Sequence, residues 1–206
     1  MSGPARVFIV PALALALGAG SPGVAQDGRA SSARADSQRL LQKLTLIVDH
    51  GNRPGPASLR TVITERELNA YLVLDGAVDL PVGVTRPNIA LLGERRVSGS
   101  AVVDLDAVRA QHKSTGMLDP MNFLAGKLPV SASGLLEARD GRARLQLESA
   151  SVAGIPVPRA VLREVVAYYT RSPDYPRGVD IDQPFPLPAR IKVIDVVRRG
   201  EAIVIQ

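Results

Sequence analysis

From Asp36 to Asp49 the apolar residues Leu40, Leu41, Leu44, Ile47 and Val48 recur at helical spacing, with Gln38, Arg39, Gln42 and Lys43 opposite them. That period predicts an amphipathic helix, with Asp36 or Ser37 available as its cap. Gly51 to Ser58 reads as a loop, and Leu59 to Ile63 as a short strand feeding a second helix. This second start is sharper. Thr64 stands three residues before Glu67, the spacing of a capping box in which each side chain takes the other residue's backbone N–H. Ile63 and Leu68 form the accompanying staple; Leu68, Tyr71 and Leu72 share a face, which leaves Glu65, Arg66 and Asn69 for water.

Beyond Leu72 the period changes. Val84 to Leu92, Arg96 to Asp106, Leu128 to Ala138 and Arg142 to Ala150 carry the alternation or β-branched content of strands, punctuated at Gly93-Glu94 and Asp140-Gly141. The two strands around Asp140-Gly141 form a hairpin with one dry face. Gly99, Ala101, Ala132, Gly134 and Ala143 leave that face little side-chain volume, which suits strong curvature or close approach by a helix or ligand. Gly154-Ile155-Pro156-Val157-Pro158 ends the sheet pattern. Pro158 then opens a helix carrying Val161, Leu162, Val165, Val166, Tyr168 and Tyr169. Residues 172–188 read as irregular, and Arg190 to Val197 with Ala202 to Ile205 form a closing hairpin around Arg199-Gly200. Gln111 to Gly126 is long enough for a loop with a helical turn.

The order is α+β: a helix, a short helix, several strands, a helix and two strands. In this order the chain resembles small exported bacterial proteins of the tubular lipid-binding (TULIP-like) type, including the YceB-like and YpmS-like proteins. The resemblance rests on Thr64-Glu65-Arg66-Glu67-Leu68-Asn69-Ala70-Tyr71-Leu72, on Leu80-Pro81-Val82-Gly83-Val84 leading into antiparallel strands, and on Val102-Val103-Asp104-Leu105-Asp106. Gly154-Ile155-Pro156-Val157-Pro158 and Leu187-Pro188-Ala189-Arg190-Ile191 fit the same order. It implies a curved antiparallel sheet packed against a long N-terminal helix and a late helix, with an apolar groove for acyl chains or another hydrophobic ligand. It implies no catalytic motif. By spacing, the residues able to line such a groove are Leu40, Leu44 and Ile47 on the first helix and Val161, Leu162, Val165 and Tyr169 on the late one. Val103, Leu105, Leu145 and Leu147 complete the set from the sheet. Each is equally an ordinary core position.

Composition adds a compartment. Arg6, the apolar stretch Val7 to Ala19 and the small-x-small site Gly23-Val24-Ala25 read as a signal peptide over residues 1–25. The stretch is short for a membrane span and holds Pro11. Residues 26–35, small and polar, then read as a flexible lead, and 36–206 as a single domain. The expectation is a periplasmic or secreted protein. The sequence of 206 residues holds no cysteine, so the core must hold without disulfides. Its formal charge of +5 comes from scattered arginines without interleaved aromatics, which argues against nucleic acid and leaves membrane-surface contact open.

Chemistry is sparse. His50 and His112 are far apart, so no zinc site and no other metal or cofactor is expected. Asp104 and Asp106 would share one side of a strand. Asp174, Asp180 and Asp182 share a proline-rich loop without calcium-loop spacing. No Gly-x-Ser-x-Gly elbow, phosphate loop or dinucleotide fingerprint occurs. The expected function is therefore non-enzymatic: a carrier or chaperone for a lipid or other hydrophobic molecule. The alternative is an envelope protein-protein interaction or scaffold module with a filled core, working through a sheet edge or the proline-rich loop.

Overall fold

Asp140 and Gly141 both take positive φ (52° and 75°), the twist that lets a two-residue turn join right-twisted strands, and they close the longest hairpin of the chain. In the computed structural model, which describes residues 26–53, 55, 58–107, 126–169, 177, 180 and 183–206, its strands are β4 (Lys127–Arg139) and β5 (Arg142–Val152). Ahead of them come helix α1 (Gln26–Asn52), β1 (Arg60–Thr64), helix α2 (Glu65–Val73), a 3₁₀ turn (Gly76–Asp79), β2 (Val84–Gly93) and β3 (Arg96–Asp104). After them come β6 (Ile155–Pro156), helix α3 (Arg159–Tyr169), β7 (Phe185–Pro186), β8 (Val193–Arg198) and β9 (Glu201–Ile205). The class is α+β, with an open antiparallel sheet, an N-terminal helix and a later helix, as the sequence pattern predicts.

β4 organises the sheet because it outruns β3. Its residues Lys127 to Leu135 pair with β3, whose far side pairs with β2; beyond that point Ala138 pairs with Ile194 of β8, which continues through β9 to β1. Two antiparallel groups therefore abut end to end along one edge of β4, while β5 takes the other edge. The join is sealed by backbone. Arg95 donates its N–H to the Val196 carbonyl (3.1 Å) and accepts from Leu136 (2.8 Å), and Gly200 donates to Leu91 (2.7 Å). Glu94 and Arg95 reach this position with φ of 52° and 64° and no glycine, a turn held in an uncommon conformation by the strands around it.

Register shifts in the β2–β3, β4–β5 and β8–β9 pairings bend the sheet. The β4–β5 shift centres on Gly134, where a Cβ would press on the Gln146 carbonyl oxygen. Alternation places Val97, Gly99, Ala101 and Val103 on one face with Leu128, Val130, Ala132, Gly134, Leu136 and Ala138. The opposite face carries Ser98, Ser100, Ser131, Ser133, Ser149 and Ser151, with the hydroxyls of Ser131 and Ser151 at 2.7 Å and those of Ser133 and Ser149 at 2.8 Å.

The core occupies the apolar face in two clusters. Leu40 and Ile47 of α1 meet Ile63, Ile191 and Val204, with Leu44, Leu68 and Tyr71 alongside. Leu91, Val97, Val196 and Ala202 form the second, with Ile89, Leu136 and Leu145 around them; Leu68 of α2 touches both. The staple of Ile63 and Leu68 is thus part of the main core.

Two local expectations change. α1 is helical from Gln26, so it runs through residues 26–35, expected as a flexible lead, and Asp36 and Ser37 lie inside the helix rather than capping it. Arg29, Ala30, Ala33, Arg34 and Ala35 are good helix formers, and extending a helix already anchored at Leu40 costs far less than nucleating one. β3 ends at Asp104, two residues early, because the Asp104 carboxylate accepts the N–H groups of Asp106 and Ala107 (both 3.1 Å) and starts a helical turn at 105–107. Residues 1–25, including the expected signal peptide, lie outside the described residues, as does most of Gln111 to Gly126. No helix among the described residues is long and apolar enough to cross a membrane.

Candidate functional site

The densest polar constellation lies between α1 and α2, and the capping box builds it. Thr64 accepts the Glu67 N–H (3.3 Å) while the Glu67 carboxylate accepts the Thr64 N–H (2.9 Å), which fixes the carboxylate at the head of α2. Lys43 of α1 then donates to both of its oxygens at 2.7 Å. Burial pushes the Glu67 carboxyl up, but the hydrogen bonds from Lys43 and Thr64 and the Lys43 charge outweigh it and hold the group below its ordinary value. Beside it Asp36 pairs with Arg39 and, at 2.9 Å, with Arg66, while the buried Ser37 hydroxyl donates to Asp75. Every carboxylate here is engaged and Ser37 is sealed from solvent, so the seam clamps two helices rather than presenting a reactive group.

α2 is fastened on its other side too. Glu65 and Asn69, expected to face water, instead hold β2: the Asn69 amide accepts the Ile89 N–H (2.6 Å) and donates to the Ile89 carbonyl (2.8 Å), and Glu65 accepts the Leu91 N–H (2.8 Å). A side chain stands in for a neighbouring strand. Sequence spacing gave no sign of this, because the partner groups are backbone atoms of a strand some twenty residues away.

The groove candidates do not converge on one place. Leu40, Leu44 and Ile47 belong to the first core cluster, with Leu40 and Ile47 only 1% and 3% exposed, and Leu145 borders the second. These four are packed by the chain itself. α3 packs against β5, at the opposite edge of the sheet from β1 and its neighbour α1. There Leu162 is half-buried and Val161 is 49% exposed; the side chains of Val165 and Tyr169 lie outside the described residues. Val103 sits at the far end of β3, opposite Val84 and Leu128, and Leu105 lies past the strand in the helical turn. Leu147 faces Gly134 at the β4–β5 bulge.

Strand pairing extends the apolar face beyond both clusters, joining Val103, which spacing singled out, to neighbours that it did not. Val103 is flanked by Val84 and Leu128, Ala101 by Val130 and Val130 by Val152, and Gly99 by Ala132 and Ala132 by Ala150, all on the same face. Val84, Val103, Leu128, Ala132, Ala150 and Val152 remain half-buried. The alternation along Leu128 to Ala138 was the available signal, though the rows are assembled only by pairing four strands.

The carboxylates considered for cations are otherwise occupied: Asp104 caps the helical turn and lies 3.7 Å from Lys127, and Asp106 accepts the Gly126 N–H at 3.0 Å. They do not share one side of a strand. Asp174, Asp182 and His112 lie outside the described residues, and His50 falls in the last turn of α1. Among the described residues no three His, Cys, Asp or Glu side chains gather as a metal site. No protein-family model, curated protein or solved structure matches this chain, so the fold and the chemistry of its own residues carry the functional argument.

Proposed function

We propose that this chain is a non-enzymatic, exported binding protein of the periplasm or extracellular space that holds a lipid or other hydrophobic molecule where α3 meets the β3–β4–β5 face. One observation carries the reading. The apolar face continues past the two filled clusters into half-buried positions at Val84, Val103, Leu128 and Val152, and α3, whose Val161 is half exposed, packs on the neighbouring strand β5. The buried apolar residues of α1 and α2 pack on the other half, so a ligand belongs at this end rather than under Leu40 and Ile47. The likeness of segment order to tubular lipid-binding proteins points the same way. The close packing around α1 favours the second reading, an envelope interaction module with a filled core, for that half of the molecule.

Native mass spectrometry of protein recovered from an envelope extract, followed by displacement of a fluorescent fatty acid, separates the two. Co-purifying lipid, lost in folded Leu162→Asp and Val103→Asp variants, is the expected result. Bare protein that also fails to bind the fluorescent probe overturns the proposal in favour of the interaction module.

A further inference from the structure

Among the described residues the sheet has three outer edges, and two are partly covered. On β2 the outward groups of Ile89 are taken by the Asn69 amide, the Leu91 N–H by Glu65 and the Leu91 carbonyl by the Gly200 N–H (2.7 Å). β5 is paired at one end with β6 and at the other with β7, and its Ala150 carbonyl accepts the Val157 N–H (2.9 Å). β1 differs. The Leu59 carbonyl accepts from Gln206 (3.0 Å) and the Glu65 N–H donates to Gly200 (2.9 Å), so odd-numbered residues turn their backbone groups toward β9 and Arg60, Val62 and Thr64 turn theirs outward. The Thr64 N–H is used by Glu67. The outward N–H and carbonyl groups of Arg60 and Val62 meet no partner among the described residues.

Nothing in β1 blunts this edge. Its five pairs with β9 run without a register shift, its sequence Arg60-Thr61-Val62-Ile63-Thr64 has no proline or lysine, and Arg60 is exposed and Val62 half-buried. Natural sheets shield or break such edges. We propose that β1 pairs antiparallel with β1 of a second copy of this chain, extending the sheet across a two-fold axis at Thr61. Arg60 then lies opposite Val62 of the second copy, and the reverse, giving four backbone hydrogen bonds that use the outward groups of both residues. The two Thr61 residues, each 7% exposed in the single chain, become the directly opposed pair on the apolar face.

The occupant follows from the length of the free edge. Only two residues are available before Glu67 and α2 close it, so a long foreign strand would gain no more bonds than β1 itself, and β1 is self-complementary in this register. So small a ladder makes a weak dimer, dissociating on the order of 10–100 µM.

Sedimentation velocity of the full chain from about 1 to 500 µM reads this directly. The expected result is a concentration-dependent dimer that Val62→Pro weakens about 30-fold by removing two ladder bonds, because the N–H it deletes faces away from β9. Val62→Thr, which keeps that N–H, leaves dimerisation unchanged. The chain has no cysteine, so any disulfide in Thr61→Cys is intermolecular, and this variant should link covalently under mild oxidation even if Val62→Pro fails to fold. A monomer at every concentration, or a dimer unmoved by folded Val62→Pro and unlinked through Thr61→Cys, overturns the proposal and leaves the edge to a foreign strand or to none.

Discussion

Replacing Glu67 with alanine tests whether the α1–α2 seam holds the fold. The substitution strips the acceptor from the Thr64 N–H (2.9 Å) and both acceptors from Lys43 (2.7 Å each), while the Glu67 N–H keeps its bond to Thr64. Losing half of a capping box costs about 0.5–1 kcal/mol. The charge-assisted bonds to Lys43 add about 1.5–3 kcal/mol. The Lys43 side chain is 29% exposed and can rehydrate once unpaired, which keeps the total below that of breaking a fully buried pair. The expected loss is about 2–3 kcal/mol in urea unfolding with an unchanged m value. A double-mutant cycle with Lys43→Met should return a coupling of about 1–2 kcal/mol. Acid sharpens the test. The folded Glu67 carboxyl lies below its ordinary value, so the unfolded chain binds more protons and stability falls as pH drops from about 4.3 through the lower folded value. In Glu67→Gln that part of the slope disappears. A loss below about 1 kcal/mol for Glu67→Ala, or acid profiles of Glu67→Gln and the parent that superpose, refutes the reasoning.

Asn69→Leu leaves both polar groups of Ile89 without partners and should cost about 1–3 kcal/mol, whereas Asn69→Asp keeps the acceptor for the Ile89 N–H and should cost less; urea unfolding ranks the two. Gly134→Ala drives a methyl group into the Gln146 carbonyl at the β4–β5 bulge and should destabilise by about 1–3 kcal/mol, with a readout in thermal unfolding. Leu40→Ala opens a cavity in the main core and should cost about 2–5 kcal/mol, against less than about 0.5 kcal/mol for Val161→Ala on the exposed flank of α3.

The hairpins were legible in the sequence because turn chemistry and alternation are local: Asp140-Gly141 marks both a turn and the register of the strands it joins. The capping box was legible for the same reason. The reach of Glu65 and Asn69 was not, since each is spent on a backbone partner that only the tertiary fold brings near. The start of α1 was hidden because residues 26–35 carry neither an apolar period nor a start signal, only propensity. Among the groove candidates, helical spacing found the apolar positions of α1 but could not say whether sheet or ligand would cover them. Ile191 and Val204, which help cover Leu40 and Ile47, are supplied by the closing strands and the turn before them. β4 hides most, because its length in sequence does not reveal that two hairpins share one of its edges.

The pairing of β1 with β9 sets a schedule for biosynthesis. Thr64 aligns with Glu201 and Arg60 with Ile205, separations of 137 and 145 residues. At ribosomal rates, β1 waits roughly 7–30 seconds for its partner to be made. Through that interval Leu40, Ile47 and Ile63 lack the Val204 and Ile191 side chains that later cover them. The nascent chain is consequently at its most adhesive while the β2–β5 hairpins already exist, and its handling by holding chaperones should depend more on α1 and β1 than on any strand made after them. Closure by so distant a strand also raises the contact order, so refolding in vitro should run on the millisecond-to-second scale of non-local β topologies rather than at the pace of helical bundles.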